Sequence, residues 1–407
     1  MMMTYQNMAL PLPRVTLHRL FIAWILVICS ISTHANNNIQ LPSIGPTSHA
    51  TLSEEKRIGD AWLKQYRRHI PTSSDPIITY YIENLLNTLA AYSEVEHKDL
   101  TLVIAKNNTL NAFAVPGGVI GVHTGLLNYA KTEQQLASVL AHELAHLSQK
   151  HYARGVEKQK RQAITTMAAL LASIVLAANT DGDAGAAAIS ATQAFAIDQQ
   201  LRFSRSFERE ADRIGMDILA KAGMNPHAVS EMFEQMDRAT RFSSKPPEFL
   251  LTHPLTTNRI VDAINLARQY PPKSFSDDIN YQLVRYRAIW VTQSEPQQAI
   301  QRFKNELGGL SLSPEGSRYG LALALNSDQQ YAEAQETLAP LLIQFPDNRI
   351  LRLLESDILA KQKKYQEASN ILANLAKMSP DYYPIQAQQA QLYICLLYTS
   401  PSPRDRG

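Results

Sequence analysis

A repeat of 34 residues towards the C-terminal end constrains the fold of this chain more than any other feature of its sequence. An aromatic residue, an alanine, a leucine and a proline recur at that offset: Tyr331, Ala334, Leu338 and Pro346 are followed by Tyr365, Ala368, Leu372 and Pro380. Small alanines let paired helices approach closely, the aromatic fills the space between them, and the proline ends the second helix. The period is typical of tetratricopeptide repeats and predicts an α-solenoid.

Two flanking stretches extend the repeat, and the chain changes character after them. Ala288 to Phe303 fits a degenerate earlier copy, and Tyr383 to Leu392 begins another. Cys395 to Gly407 resembles the translation of a sequencing adapter, so we expect residues 395–407 to be an artefact that truncates the array. A genuine Pro/Ser-rich tail is the alternative.

The first residues have the pattern of an export signal. Arg14 and Arg19 are basic, Leu20 to Ile31 is an uncharged apolar run, and Thr33 to Ala35 offers small residues for cleavage. The apolar run is shorter than the roughly 20 residues of a membrane-spanning helix. We predict a cleavable signal peptide over residues 1–35 and a periplasmic protein; an uncleaved anchor is the alternative.

Length and charge define the remaining organisation. The chain has 407 residues, 45% of them hydrophobic, and a net charge of +2. That length is sufficient for two domains with cores of their own. We predict a first domain over residues 36–270, a linker over 271–280 and helical repeats over 281–394. Lys and Arg are scattered along the chain, so nothing indicates nucleic acid as a partner.

The first domain is predicted to be mainly helical with a small β-sheet. Leu52 to Arg68 has helical spacing, and Asp75-Pro76 is a typical helix start. Thr101 to Ala105 and Phe113 to Val122 are rich in β-formers. Residues 163–197 are largely apolar and favour a buried helical hairpin, with a membrane-surface or partner-binding element as the alternative.

The sequence His142-Glu-Leu-Ala-His146 has the pattern HExxH. Histidines four residues apart lie on one face of a helix, so both can reach one zinc ion, and Glu143 beside them can act as a general base. A catalytic zinc needs a third protein ligand. Glu208 and Asp212 share a helical face, so one can bind zinc while the other orients a ligand histidine. Glu210 is the competing ligand.

Four segments in this order and spacing resemble the Ste24/HtpX/Oma1 family of zinc peptidases: Asn111 to Gly118, His142 to His146, Glu208 to Asp212, and His253 to Arg259. With an export signal and C-terminal repeats, the chain is most similar to the periplasmic branch, the BepA-type β-barrel assembly-enhancing proteases. The resemblance implies an endopeptidase that degrades misfolded or stalled outer-membrane proteins and assists their assembly. It also implies the β-barrel assembly machinery and lipopolysaccharide-transport components as partners.

The resemblance further assigns roles to individual residues. It implies that His142, His146 and Glu208 bind Zn²⁺, that Glu143 is the general base, and that Asp212 supports a ligand. His253 would be a regulatory fourth ligand.

Four further points follow from the sequence. Arg259 can stabilise an oxyanion or pair with a carboxylate. The expected substrate strand comprises Asn111, Phe113, Pro116, Gly117 and Gly118. His151 shows no partner in the sequence and is interpreted as structural or exposed. A chaperone or scaffold that acts through its repeats, with a latent zinc site, is the rival function.

Overall fold

The computed structural model describes residues 52–96, 98–161, 204–241, 247–271, 278–293 and 295–399, together with the single residues 163, 166 and 275. The chain divides into two compact units, Met1–Pro42 and Ser43–Gly407, and every described residue belongs to the second. The predicted signal peptide, most of the apolar stretch 163–197 and the last residues of the suspected tail lie outside the described residues.

The first part of the described chain surrounds a small sheet with helices. Its strands are β1 (Thr101–Ala105), β2 (Ala112–Val115) and β3 (Val119–His123). Its helices are α1 (Leu52–His69), α2 (Pro76–Ala91), α3 (Thr124–Tyr129), α4 (Glu133–Ser148), α5 (151–161), α6 (204–221), α7 (Ala228–Arg241), α8 (Glu248–Thr252) and α9 (Thr257–Ala267). The predicted mainly helical fold with a small sheet is confirmed.

Side-chain caps explain where two of these helices begin. The Asp75 carboxylate accepts hydrogen bonds from the backbone N–H groups of Ile77 and Ile78, and so caps α2. The Thr132 hydroxyl accepts from the backbone N–H of Gln135 and caps α4. The Gln135 side chain bonds the N–H of Lys131, one residue before the position that a capping box would use.

The sheet has the strand order β1-β3-β2, with β3 parallel to β1 and antiparallel to β2. A tight turn through Gly117 and Gly118, both with φ above +80°, joins β2 to β3. A side chain at Gly117 would lie within 2.4 Å of the Glu55 carbonyl oxygen, so the turn requires glycine there. Because β2 is last in the strand order, it is an edge strand among the described residues. It packs beside α4.

The second part consists of helix pairs. They are α10 (Ile279–Val291), α11 (Pro296–Asn305), a π-helical turn (Glu306–Leu310), α12 (Pro314–Ser327), α13 (Tyr331–Gln344), α14 (Arg349–Lys361), α15 (Tyr365–Met378) and α16 (Tyr383–Thr399). The 34-residue period is present in the backbone, because Gln329 and Lys363 both have positive φ, at 64° and 65°. The repeating alanines and leucines of α13 and α15 are buried. The predicted helical repeat is confirmed.

The first repeat helix, α10, packs directly on α2 and α3. The Tyr281 hydroxyl donates to the Ala130 carbonyl at 2.7 Å, and Arg287 pairs with the Asp75 carboxylate that caps α2. These contacts join the first repeat helix to the connection before α4 and to the start of α2. None of the helices in the described part of the chain is long and apolar enough to span a membrane.

Candidate metal centre

Helix α4 carries the HExxH residues in the interior of the protein. His142 and Glu143 are 7% and 1% exposed, and the helical spacing brings His146 Nε2 to 3.0 Å from His142 Nε2. Leu136, Leu140 and Leu144 are fully buried on the same helix and anchor it in the core. The two imidazoles therefore converge on one point because a rigid, buried helix holds both of them.

Helix α6 brings Glu208 to the same point. Its close approach depends on Gly215, where an added Cβ would lie 3.1 Å from the backbone nitrogen of His142. One Glu208 oxygen lies 3.4 Å from His142 Nε2, and the other lies 3.4 Å from His146 Nε2. The family resemblance implies that these three residues are ligands, and the structure brings their side chains together.

His253 completes a group of four. It follows α8, stacks on Phe249 at 4.5 Å, and lies with its Nδ1 3.4 Å from His142 Nε2 and 3.2 Å from both oxygens of Glu208. One donor atom from each of His142, His146, Glu208 and His253 lies within 4.8 Å of the others. Convergent nitrogen and carboxylate donors of this kind are a metal-binding arrangement.

Asp212 and Arg259 contact the candidate ligands on the side away from the point where the donor atoms converge. Asp212 Oδ1 lies 3.0 Å from His142 Nδ1, on the side of the ring away from the cluster. Arg259 donates through Nε and Nη2 to the two oxygens of Asp212, both at 2.7 Å. Its Nη1 lies 3.0 Å from Glu208 and donates to the Pro254 carbonyl. All three guanidinium nitrogens are thus directed at groups of the protein.

Glu210, the competing ligand in the sequence, lies outside the group of four. Its carboxylate pairs with His151 and with Arg154, at 3.2 and 3.1 Å. His151 is buried, and its Nδ1 lies 2.9 Å from His146 Nδ1. The interpretation of His151 as structural or exposed did not include this contact, since the sequence carries no signal for it.

The charges within the site follow from burial and these contacts. Burial opposes a charge on His142, but Asp212 and Glu208 outweigh it and raise the pKa of His142 to about 10. Burial, with smaller contributions from His142 and His253, lowers the pKa of His146 to about 3. Burial acts to raise the pKa of Glu208, but hydrogen bonds from three histidines hold it below its ordinary value. Glu208 is therefore an anion that compensates positive charge in this group.

Glu143 differs from its neighbours because part of its carboxylate is unsatisfied. Its Oε1 has no hydrogen-bond partner within the described residues, and His253 Nε2 lies 3.6 Å away. A buried carboxylate oxygen without a partner costs stability. Together with the donor set beside it, this orphaned atom fits a site built for a metal ion and a reacting molecule.

A cavity of about 240 Å³ opens beside the group of four. Its lining includes Glu143, His146 and His253 together with Phe113 and Ala114 of β2. Pro116 also lines it, whereas Asn111 is buried and contacts His123. The edge strand and the candidate metal ligands therefore face a common space.

Similar proteins were found for most of this chain. The beta-barrel assembly-enhancing protease of Escherichia coli K12 is 36% identical over 337 residues, which cover 82% of this chain and 69% of that protein. The Yersinia pestis protein of the same description is 35% identical over 357 residues, covering 87% and 73%. The mitochondrial metalloendopeptidase OMA1 of Schizosaccharomyces pombe is 31% identical over 214 residues, covering 52% and 60%.

A family model described as peptidase family M48 matches residues 76–266, the region that supplies all four candidate ligands and Glu143. The similarity to the bacterial proteases extends beyond this region into the helical repeats. The family model covers the candidate ligands and the bacterial proteases match most of the chain. This chain therefore belongs to peptidase family M48 and is a metalloprotease.

Proposed function

We propose that this chain is an exported zinc endopeptidase that degrades misfolded or stalled outer-membrane proteins and assists their assembly. One observation carries the proposal: Glu143, a buried carboxylate with an orphaned oxygen, lies beside four convergent metal donors and a cavity that is lined by an edge strand.

The donor set favours zinc over calcium and magnesium. Zn–N and Zn–O bonds of about 2.0–2.1 Å require donor atoms about 3.3 Å apart at the corners of a tetrahedron. The distances between the donor atoms of His142, His146, Glu208 and His253 include 3.0, 3.2 and 3.4 Å. Calcium and magnesium prefer a shell made of oxygen ligands, whereas three of these four residues offer imidazole nitrogens. We assign His142, His146 and Glu208 as the permanent ligands.

Glu143 is the general base in this proposal. A zinc ion held by the three ligands supplies Lewis acidity, which polarises the scissile carbonyl and makes a water molecule a better nucleophile. Glu143 Oε1 is free to accept the proton of the attacking water and to return it to the leaving amine. Asp212 holds the His142 ring in place, and Arg259 neutralises the buried Asp212 and Glu208 carboxylates instead of stabilising an oxyanion.

Strand β2 is the proposed substrate-binding element. Its outer edge offers unpaired backbone groups among the described residues, so an extended polypeptide can add to the sheet beside Phe113 and Ala114. Such pairing uses backbone hydrogen bonds and depends weakly on side-chain sequence. It also requires an extended substrate, which selects unfolded chains over folded ones.

The bacterial relatives have names that describe enhancement of β-barrel assembly. On that similarity we assign the periplasm as the location, and the β-barrel assembly machinery and lipopolysaccharide-transport components as partners of the repeats. The decisive test compares an outer-membrane porin, urea-unfolded and then diluted, with the same porin folded in detergent. We expect the unfolded porin to be cleaved, cleavage to stop with a chelator, and zinc to restore it. Equal cleavage of both forms, or cleavage that the chelator leaves unchanged, would contradict the proposal.

His253 gives the rival function, a scaffold with a latent site, a structural basis. Its Nδ1 lies 3.2 Å from Glu208 and would fill the fourth position, which a catalytic zinc leaves open, and its Nε2 lies 3.6 Å from Glu143. We therefore propose that His253 holds the enzyme latent until it is displaced.

Replacing His253 with alanine is expected to raise basal proteolysis of unfolded casein, because removing the imidazole frees the fourth position while the other ligands remain. The assay compares the variant with the parent and with Thr252→Ala, a neighbouring change that leaves the donor set intact. If His253 instead donates to the oxyanion, the variant will be slower by about 10²–10³-fold at matched zinc content.

A further inference from the structure

His151 lies directly behind a metal-ligand candidate and has polar contacts on both ring nitrogens. Its Nδ1 lies 2.9 Å from His146 Nδ1, and its Nε2 lies 3.2 Å from Glu210 Oε2. The ring is 5% exposed and stacks on Phe207 with 4.2 Å between ring centroids. Arg154 donates to both oxygens of Glu210 at 3.1 Å. The chain thus forms a continuous line of contacts from His146 through His151 to Glu210 and Arg154.

A break in the helical backbone between His146 and His151 makes their contact possible. On an uninterrupted helix His151, five residues after His146, would point about 140° away from it. Instead Lys150 adopts a left-handed conformation with φ of 50°, which ends α4 and starts α5 in a new direction. A residue other than glycine adopts this conformation only when surrounding contacts compensate its cost. The turn brings the His151 ring back over His146.

If His146 binds a metal through Nε2, the direction of each hydrogen bond from His146 to His151 and Glu210 is determined. His146 Nε2 points into the group of donors, 3.4 Å from Glu208. A neutral imidazole that binds a metal through Nε2 carries its proton on Nδ1. At 2.9 Å, one of the two Nδ1 atoms must donate and the other accept. His146 Nδ1 therefore donates to His151 Nδ1, and His151 donates through Nε2 to Glu210.

From this arrangement we propose that His151 is a positioning residue for metal binding. Its Nδ1 accepts a hydrogen bond from the Nδ1–H of His146 and so fixes the tautomer that presents Nε2 to the metal. Glu210 and Arg154 hold His151 in turn. The role parallels that of Asp212, which lies at 3.0 Å from His142 Nδ1, except that a second imidazole stands between the ligand and the carboxylate. The proposal rests on His146 being a ligand in the proposed function.

Two substitutions separate positioning from packing. His151→Phe keeps an aromatic ring against Phe207 but has no acceptor for the His146 proton. His151→Asn loses the ring, but its Oδ1 is bonded to Cγ, as Nδ1 is in histidine, so an acceptor remains near the same place. A packing role predicts that the phenylalanine variant resembles the parent and the asparagine variant fails, whereas positioning predicts the reverse order for metal affinity.

The measurement is zinc affinity of the full chain, by competition with a chromophoric chelator. Loss of an outer hydrogen-bond partner of a ligand histidine typically weakens metal binding about 10–100-fold. We expect His151→Phe to show a loss of that size and His151→Asn to stay within about threefold of the parent, a bound set by the same scale. The visible spectrum of the cobalt-substituted protein should shift for the phenylalanine variant only. Thermal unfolding with chelator present shows whether each variant is folded.

Glu208→Gln serves as the control for the metal centre itself. If Glu208→Gln binds zinc as tightly as the parent, the proposed centre is wrong, and the His151 proposal fails with it. If Glu208→Gln loses zinc while His151→Phe keeps parental affinity, His151 has no positioning role and only this inference is overturned. Should His151→Phe not fold, His151→Leu replaces it as the variant without an acceptor, and the same outcomes apply.

Discussion

Changing Glu143 to glutamine is expected to lower the rate of casein cleavage by about 10²–10⁴-fold while leaving metal content and fold intact. The amide has the size of the carboxylate, so the buried position, 1% exposed, stays filled. It cannot accept a proton, however, and the orphaned oxygen that we assign as the base is lost. Glu143 is not among the four convergent donors, so zinc should remain bound.

The matched control is Glu157→Gln, which makes the same change on the surface of α5, where Glu157 pairs with Arg161 and is 44% exposed. It should cleave casein at the parental rate. Zinc per chain is measured for all three proteins by elemental analysis. If Glu143→Gln retains near-parental activity at full zinc occupancy, another residue is the base. If it loses zinc as well, Glu143 takes part in binding the metal and the ligand assignment must change.

The features that the sequence predicted are those with a local cause. Two histidines four residues apart must share a helical face, and Asp75-Pro76 starts a helix through bonds to residues two and three positions away. The 34-residue repeat places helix ends at regular intervals for the same reason, because each unit packs only on its neighbours. Local periodicity was therefore sufficient for the fold class and for the candidate ligands on α4.

The features that the sequence could not decide depend on contacts between distant segments. The choice between Glu208 and Glu210 as the residue near the histidines depends on how α6 is rotated against α4, which Gly215 sets by allowing close approach. The contact between His146 and His151 depends on the left-handed backbone at Lys150. Lysine has no preference for that conformation, so the sequence does not predict it. The partners of Arg259 depend on the packing of α9 against α6 across many residues of chain.

Replacing Arg259 with methionine is expected to cost about 3–5 kcal/mol of unfolding free energy, the range measured when one partner of a buried ion pair is removed. Arg259 is 3% exposed and contacts two carboxylates, Asp212 and Glu208, that are nearly as buried. Methionine fills much of the volume but leaves Asp212 without a cation and Glu208 without the guanidinium. Arg259→Lys should fall between the parent and methionine, because an ammonium group keeps the charge but cannot bond both oxygens of Asp212 in the same fork.

Urea unfolding at saturating zinc gives the measurement, and Arg268→Met is its control. Arg268 caps the end of the same helix but is exposed, so its loss should change the unfolding free energy by no more than about 0.5 kcal/mol. The alternative role for Arg259, stabilisation of the oxyanion, makes a different prediction: normal stability with an activity loss of about 10²–10³-fold. That outcome would contradict the pairing role.

Zinc makes the prediction for Arg259 sharper, because in the proposed centre the metal and the guanidinium share one carboxylate, Glu208, whereas Asp212 pairs with the guanidinium alone. A bound zinc ion would neutralise Glu208 directly, but it would reach Asp212 only through the His142 ring. Removing zinc from the Arg259→Met protein should therefore lower its stability further than removing zinc from the parent, since Glu208 then loses both of its cations. If chelation lowers the stability of the parent and of the variant equally, Arg259 does not share Glu208 with the metal, and the ion pair measured at 3.0 Å has no energetic role.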